Sequence, residues 1–116
     1  MSTKLVSAYR IVTFVPPDHL DKILATVQLS NPLQYGHYTG VCWHSAPGVE
    51  MFVPETAAHP TEGKAGTQST CPSIRLEFSI PRNEEELQKM LDCLTGIHPW
   101  EEPVILISEI LETRRT

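Results

Sequence analysis

The sequence predicts an α+β fold in which one antiparallel sheet carries two helices on the same face. A strand pattern that ends in a proline occurs twice, in residues 9–16 (YRIVTFVP) and residues 74–81 (IRLEFSIP). Each copy is followed by apolar residues at i, i+3, i+4 and i+7, the spacing that lines one side of a helix. A further strand follows each helix. Two such units, intercalated, form the split βαβ sandwich known as the ferredoxin-like arrangement.

Both predicted helices begin at residues suited to that position. Pro16 and Pro17 precede the first helix, where a missing backbone N–H costs nothing, and Pro32 ends it. Asn83, with Glu86 three residues on, resembles a capping box at the start of the second helix. The two apolar stripes consist of Leu20, Ile23, Leu24 and Val27, and of Leu87, Met90, Leu91 and Leu94.

The remaining strands leave one long connection. Residues 38–54 hold either one long bent strand or a hairpin turning at Pro47 and Gly48, and the closing strand covers residues 104–111. Residues 55–72, rich in Gly, Thr, Ser and Pro, form an exposed loop of a length that is often functional. We therefore expect a single domain over residues 1–116 that carries this loop.

Composition narrows the functional classes. The net charge is −5, and no cluster of basic residues precedes Arg114 and Arg115, which argues against a nucleic-acid partner. No apolar run approaches the roughly 20 residues of a membrane helix. The three cysteines are widely spaced and lack a CxxC pair, so we expect reduced thiols and a cytoplasmic protein.

Apolar residues on both sides of two strands predict self-association. In residues 104–111, Val104, Leu106 and Ile110 alternate with Ile105, Ile107 and Leu111, and Val12 and Phe14 oppose Ile11 and Val15 in the same way. Because the helices cover only one face of the sheet, the second face needs another partner. We expect a homo-oligomer; the alternative is that the loop 55–72 folds over that face.

Three segments carry a family resemblance. They are residues 9–20 (YRIVTFVPPDHL), residues 36–43 (GHYTGVCW) and residues 98–103 (HPWEEP). Together they resemble the YqfO-type domain, which is inserted in NGG-interacting-factor-like proteins and is also free-standing, and which is similar in fold to CutA and PII signalling proteins. Trp100 stands where this family usually has tyrosine.

The resemblance has implications for assembly and activity. It implies a trimer whose sheets pack around a three-fold axis, and a partner-binding role for the loop 55–72, as in PII proteins. The dinuclear-metal core of the larger proteins has no counterpart in this chain, so the resemblance does not extend their activity to it.

The segment 98–103 is the main candidate site. In one interpretation Pro99 and Pro103 simply hold an extended linker, with Trp100 packed and the carboxylates in solvent. In the other, His98, Trp100, Glu101 and Glu102, together with Tyr38 from the neighbouring strand, bind a small ligand in a cleft between subunits.

A metal site is a second candidate. Cys42 and His44 lie two residues apart on a strand and so point to the same side. A thiolate and an imidazole suit copper or a divalent ion such as zinc. His98 is the favoured third ligand, and Glu101 of a neighbouring subunit and His59 of the loop are the alternatives. Buried structural roles are the alternative for all three side chains.

Three functions follow from these candidates. The first is an oligomeric binding or regulatory module for a small ligand or divalent metal, without catalysis of its own. The second is a metal-assisted hydrolase that acts at an inter-subunit cleft. The third is a structural domain that binds a protein partner through the loop 55–72.

Overall fold

A computed structural model, which describes residues 2–116, has the α+β fold that the sequence predicts. Its elements are β1 (Thr3–Val15), a 3-10 turn (Pro17–His19), α1 (Leu20–Ser30), β2 (Cys42–His44), β3 (Gly48–Phe52), β4 (Ser69–Pro81), α2 (Glu84–Ile97) and β5 (Ile105–Arg115). The start of α2 is capped as expected, since the backbone N–H of Glu86 donates to Asn83 Oδ1. The Glu86 carboxylate accepts from Asn31 instead of completing the capping box.

The sheet has the order β2–β4–β1–β5, with every pairing antiparallel. Both halves of the internal repeat, β1 and β4, therefore lie at its centre. Ile11 pairs with Phe78 on one side and with Ile107 on the other. We call the side of the sheet that packs on α1 and α2 the inner face, and the opposite side the outer face. The fully buried side chains include Phe78, Ile11, Ile23, Leu76, Met90 and Leu94.

Residues 42–52 form one bent edge strand, which decides between the two sequence-based alternatives. Both β2 and β3 pair with β4 rather than with each other. His44 is opposite Leu76 and Gly48 is opposite Ser73, so four steps along this edge span three along β4. The extra residue is a bulge, which bends the strand near Ser45. The Ser45 side chain helps to hold the bend by accepting from the N–H of Arg75.

The long loop is shorter than the sequence suggests, because β4 already begins at Ser69. Cys71 is accordingly 3% exposed within a strand, whereas we expected it in a flexible loop.

The face on which β4 is buried changes along the strand. Cys71 and Ser73 are buried at its start, and Ile74, Leu76 and Phe78 are buried beyond it. Because side chains alternate between faces, the start of β4 is covered on its outer face and the rest on its inner face.

The outer face combines an ionic network with exposed apolar side chains. Arg10 donates two hydrogen bonds to Glu77, and Arg75 donates a third, at distances of 2.9–3.1 Å. These hydrogen bonds place the pKa of the Glu77 carboxyl below its ordinary value, chiefly through Arg10. Apolar side chains lie beside this ionic network, with Leu106 and Trp43 each 52% exposed.

One end of the sheet narrows to a two-stranded ribbon. Residues 3–7 of β1 pair with residues 111–115 of β5, beyond the last pair between β1 and β4 at Ala8 and Pro81. The ribbon gives the molecule its length of 57 Å against 28 and 22 Å in the other directions. Among residues 2–116, no helix is long and apolar enough to cross a bilayer.

Candidate functional site

A cavity of about 330 Å³ lies where the loop meets the segment 98–104. We call it the Trp100 cavity. Its wall consists of Glu50, Met51, Phe52, Pro54, Ala58, Pro60, Thr61, Glu62, Cys71, Trp100, Glu101, Glu102 and Val104. The volume falls at the lower end of the range of about 300–1,000 Å³ that is typical of small-molecule pockets. A wider and more open depression of about 610 Å³ adjoins it and shares Glu50, Met51 and Val104.

His98 holds Trp100 in the cavity wall. It is only 7% exposed, and its Nε2–H donates to the carbonyl oxygen of Phe14 at 2.7 Å. Its Nδ1 accepts the backbone N–H of Trp100 at 3.1 Å, and the two rings lie 4.9 Å apart at 51°. This pair of partners fixes the neutral tautomer with the proton on Nε2. Burial also lowers the pKa of His98, so the central strand β1 orients Trp100 through a neutral imidazole.

The loop is fastened to the same segment. The backbone N–H of His59 donates to Glu101 Oε1 at 2.9 Å, and Thr61 Oγ1 donates to the carbonyl oxygen of Pro99 at 2.8 Å. Both contacts join residues about forty positions apart in sequence. The loop therefore closes one side of the cavity and covers the start of β4. This corresponds, for part of the outer face, to the alternative in which the loop 55–72 folds over the sheet.

The charge of the cavity is one-sided. Glu50, Glu62, Glu101 and Glu102 line it, whereas no lysine or arginine of the described residues does. None of these four carboxylates takes part in an ion pair within residues 2–116. Glu50 accepts from the Ser73 hydroxyl, and Glu101 accepts from the loop backbone. The remaining acceptor positions of both are available to a ligand.

The thiol of Cys71 is kept protonated in this surrounding. Burial raises the pKa of Cys71, and the carboxylates of Glu62 and Glu50 raise it further. A thiol with a raised pKa is a poor nucleophile and a poor metal ligand, because both roles require the thiolate. Cys71 therefore contributes shape to the wall of the Trp100 cavity rather than reactivity.

The five residues predicted to bind a ligand have three different positions. Trp100, Glu101 and Glu102 line the cavity. His98 stands behind the wall and positions Trp100. Tyr38 is 75% exposed in the turn 35–38 and does not line the cavity. The lining residues of the cavity all belong to one chain.

The predicted metal ligands are not brought together within the chain. Among residues 2–116, no group of three or more His, Cys, Asp and Glu side chains could hold a metal ion. Both ring nitrogens of His98 are already hydrogen bonded, and Nδ1 of His44 contacts the carbonyl oxygen of Ser45. Cys42 packs against the core. The expected trio of Cys42, His44 and His98 therefore has no metal-binding geometry in a single copy.

Sequence reasoning missed Glu50, Glu62 and Cys71. Glu50 is the one charged residue in the apolar strand β3 (GVEMF), and this exception was the available signal. Glu62 and Cys71 gave no such signal, because both lay in a segment taken to be an open loop.

Comparisons with known proteins agree with this architecture. No protein-family model matches the chain. It is 28% identical over 101 residues to a GTP cyclohydrolase 1 type 2 homolog of Halalkalibacterium halodurans. The matched region covers 87% of this chain and 26% of that protein. A homolog of the same name from Listeria innocua is 29% identical over 97 residues, covering 83% and 25%. The chain therefore spans about a quarter of the length of these relatives.

Solved structures show the same fold. A Bacillus cereus protein related to NIF3 superposes with a TM-score of 0.73 at 20% identity, covering 95% of this chain and 29% of that one. CutA from Synechococcus elongatus superposes with a TM-score of 0.63 at 15% identity, covering 96% and 85%. This chain has the CutA-like fold. The resemblance to YqfO-type domains is confirmed, since the matched relatives and the NIF3-related structure are of that kind.

Proposed function

We propose that this chain is a binding module for a small ligand, that the Trp100 cavity is its site, and that copies assemble into a homo-oligomer. The observation that supports the site is the way in which Trp100 is held. His98 fixes its backbone and ring, and the loop is tied to the adjoining Pro99 and Glu101. An aromatic wall that is fixed before binding reduces the ordering cost of taking up a ligand.

Binding can be tested with a neutral fluorescent probe. We expect N-phenyl-1-naphthylamine to bind saturably and to gain emission as it enters the cavity. Trp100→Ala should weaken this binding by about tenfold, because it removes the aromatic wall. Tyr38→Ala is the matched control, since Tyr38 is an exposed aromatic residue outside the cavity. Equal binding by the parent and Trp100→Ala would contradict the site.

Self-association is supported by two open sheet edges. At one edge, β5 exposes Leu106, Ile107 and Leu111. At the other, the bent strand exposes Trp43, Val49 and Met51. Long apolar edge strands are templates for pairing with another chain. Because the two edges differ, we propose head-to-tail pairing that closes into a ring, with the trimer implied by the resemblance as its size. Light scattering after size-exclusion chromatography tests this, and a monomer at micromolar concentration would rule it out.

Hydrolysis is not part of the proposal. The relatives named for GTP cyclohydrolase are about four times as long as the matched region, so their activity is not extended to this chain. The three free cysteines, Cys42, Cys71 and Cys93, suit a reducing compartment, so the proposal retains a cytoplasmic location.

A further inference from the structure

The charge of the Trp100 cavity restricts what it can bind. Four carboxylates face a space of about 330 Å³, and no basic side chain of the described residues lines it. Fixed charges of one sign, beside apolar walls that exclude water, attract the opposite charge and repel their own. The pKa of Cys71 is raised chiefly by burial, and the nearby carboxylates of Glu62 and Glu50 raise it further, in keeping with this negative surrounding. An anionic ligand is therefore disfavoured.

The carboxylates are distributed around the wall rather than converging on one point. Glu50 comes from β3, Glu62 from the loop, and Glu101 and Glu102 from the segment before β5. Ca²⁺ and Mg²⁺ need about six or more oxygen ligands around one centre, which this arrangement does not offer. Distributed charge suits a larger cation whose own charge is spread or attached to an apolar body.

The rest of the wall suits such a body. Phe52, Met51 and Val104 provide apolar surface, and Trp100 provides an aromatic face. Tryptophan is the side chain that attracts an ammonium group most strongly through its ring. His98 and the loop contacts hold that ring in place before a ligand arrives.

Resting on the proposed function, we infer that the ligand of the Trp100 cavity is a small organic cation, an ammonium group joined to an apolar body. Its apolar part lies against Trp100 and Phe52, and its charge lies among the carboxylates. This class is distinct from the divalent metal ions considered from the sequence.

Three compounds of equal size and different charge test the inference: phenethylammonium, 2-phenylethanol and phenylacetate. Trp43→Phe leaves Trp100 as the one tryptophan, so that its fluorescence reports on the cavity. We expect phenethylammonium to bind about tenfold more tightly than 2-phenylethanol, which corresponds to one ion pair in a partly shielded site. Phenylacetate should not bind, and added salt should lower only the affinity for phenethylammonium.

Substitutions separate charge from shape. Glu62→Gln and Glu102→Gln should each weaken the binding of phenethylammonium several-fold. Neither should change the affinity for 2-phenylethanol, since glutamine keeps the size of the side chain. Glu55→Gln is the matched control, because Glu55 is an exposed loop carboxylate outside the cavity. It should leave all three affinities unchanged.

The outcomes distinguish the two proposals. Equal affinities for phenethylammonium and 2-phenylethanol would contradict the inference that the ligand is an organic cation. The proposal that the cavity binds a small ligand would still hold. If none of the three compounds binds but N-phenyl-1-naphthylamine binds saturably, the organic-cation inference is again contradicted and the site is retained. Failure of all three compounds and of that probe would overturn the site itself.

Discussion

The two faces of the sheet are built from similar strands but have different surroundings. On the inner face, Ile11 and Phe78 are fully buried beneath the helices. On the outer face, Leu106 and Trp43 are half exposed beside the network of Arg10 and Glu77. An apolar pattern therefore identifies a strand, whereas the burial of its side chains depends on whether another element packs on that face of the sheet.

The strand β4 shows the same contrast within one element. Most of it is covered by helices on the inner face, but its first residues are covered by the loop on the outer face. The Trp100 cavity lies at this change of cover, and no residue of α1 or α2 lines it. The inner face thus stabilises the domain, and the binding site that we propose lies where the cover of the sheet changes.

Truncating the inner face should have the largest effect. Phe78 is fully buried in the middle of the core, so Phe78→Ala should lower the free energy of unfolding by about 3–5 kcal/mol. Leu106→Ala, on the outer face, should lower it by about 1 kcal/mol or less when the protein is measured as a monomer. Urea denaturation measures both. Similar losses for the two variants would show that the faces do not differ as described.

Charge on the uncovered edge should act on assembly instead of folding. In the double variant Leu106→Lys, Ile107→Lys, each copy would place two like charges at the proposed contact. We expect the dissociation constant of the oligomer to rise by at least about tenfold, with circular dichroism unchanged. Analytical ultracentrifugation measures the constant. Lys89→Ala, at an exposed position of α2, is the control for a charge change away from the sheet edges. An unchanged oligomer would place the contact elsewhere.

The smallest predicted effect concerns His98, which connects the inner strand β1 to the cavity. Burial lowers its pKa from the ordinary value of 6.5, so the unfolded chain binds the proton more readily than the folded one. The stability contributed by neutral His98 is present above pH 6.5 and is lost as the pH falls towards the lower folded pKa. The slope is at most about 1.4 kcal/mol per pH unit for one proton.

Protonation of His98 would also place a second N–H opposite the N–H of Trp100 and break their hydrogen bond. Trp100 fluorescence in Trp43→Phe should change over the same pH interval. His98→Gln should remove this pH-dependent part of both signals, whereas His37→Gln, at an exposed histidine, should retain it. Charged groups near the ring are Glu50, which opposes the lowering, and His19, which adds to it. An identical acid dependence in His98→Gln would assign the effect to other groups.

Local patterns were sufficient for the order of the main helices and strands and for the fold class, but not for the start of β4 at Ser69. The alternation in β1 and β4 and the stripes of α1 and α2 depend on residues within a few positions of one another, so they can be recognised without the fold. The β5 pattern also predicted two apolar sides correctly. It did not predict that Arg10, Arg75 and Glu77 would pair across the outer face, because that pairing depends on the register of two strands distant in sequence.

The sequence by itself determined that Trp100, Glu101 and Glu102 would stand together between α2 and β5, since they are adjacent along the chain. Only the tertiary structure decided that Glu50, Glu62 and Cys71 would face them, and that His98 would support the wall instead of binding a ligand. The physical reason is that these contacts join segments whose approach is set by strand register, a bulge and the path of a loop. None of these leaves a periodic signal in the sequence.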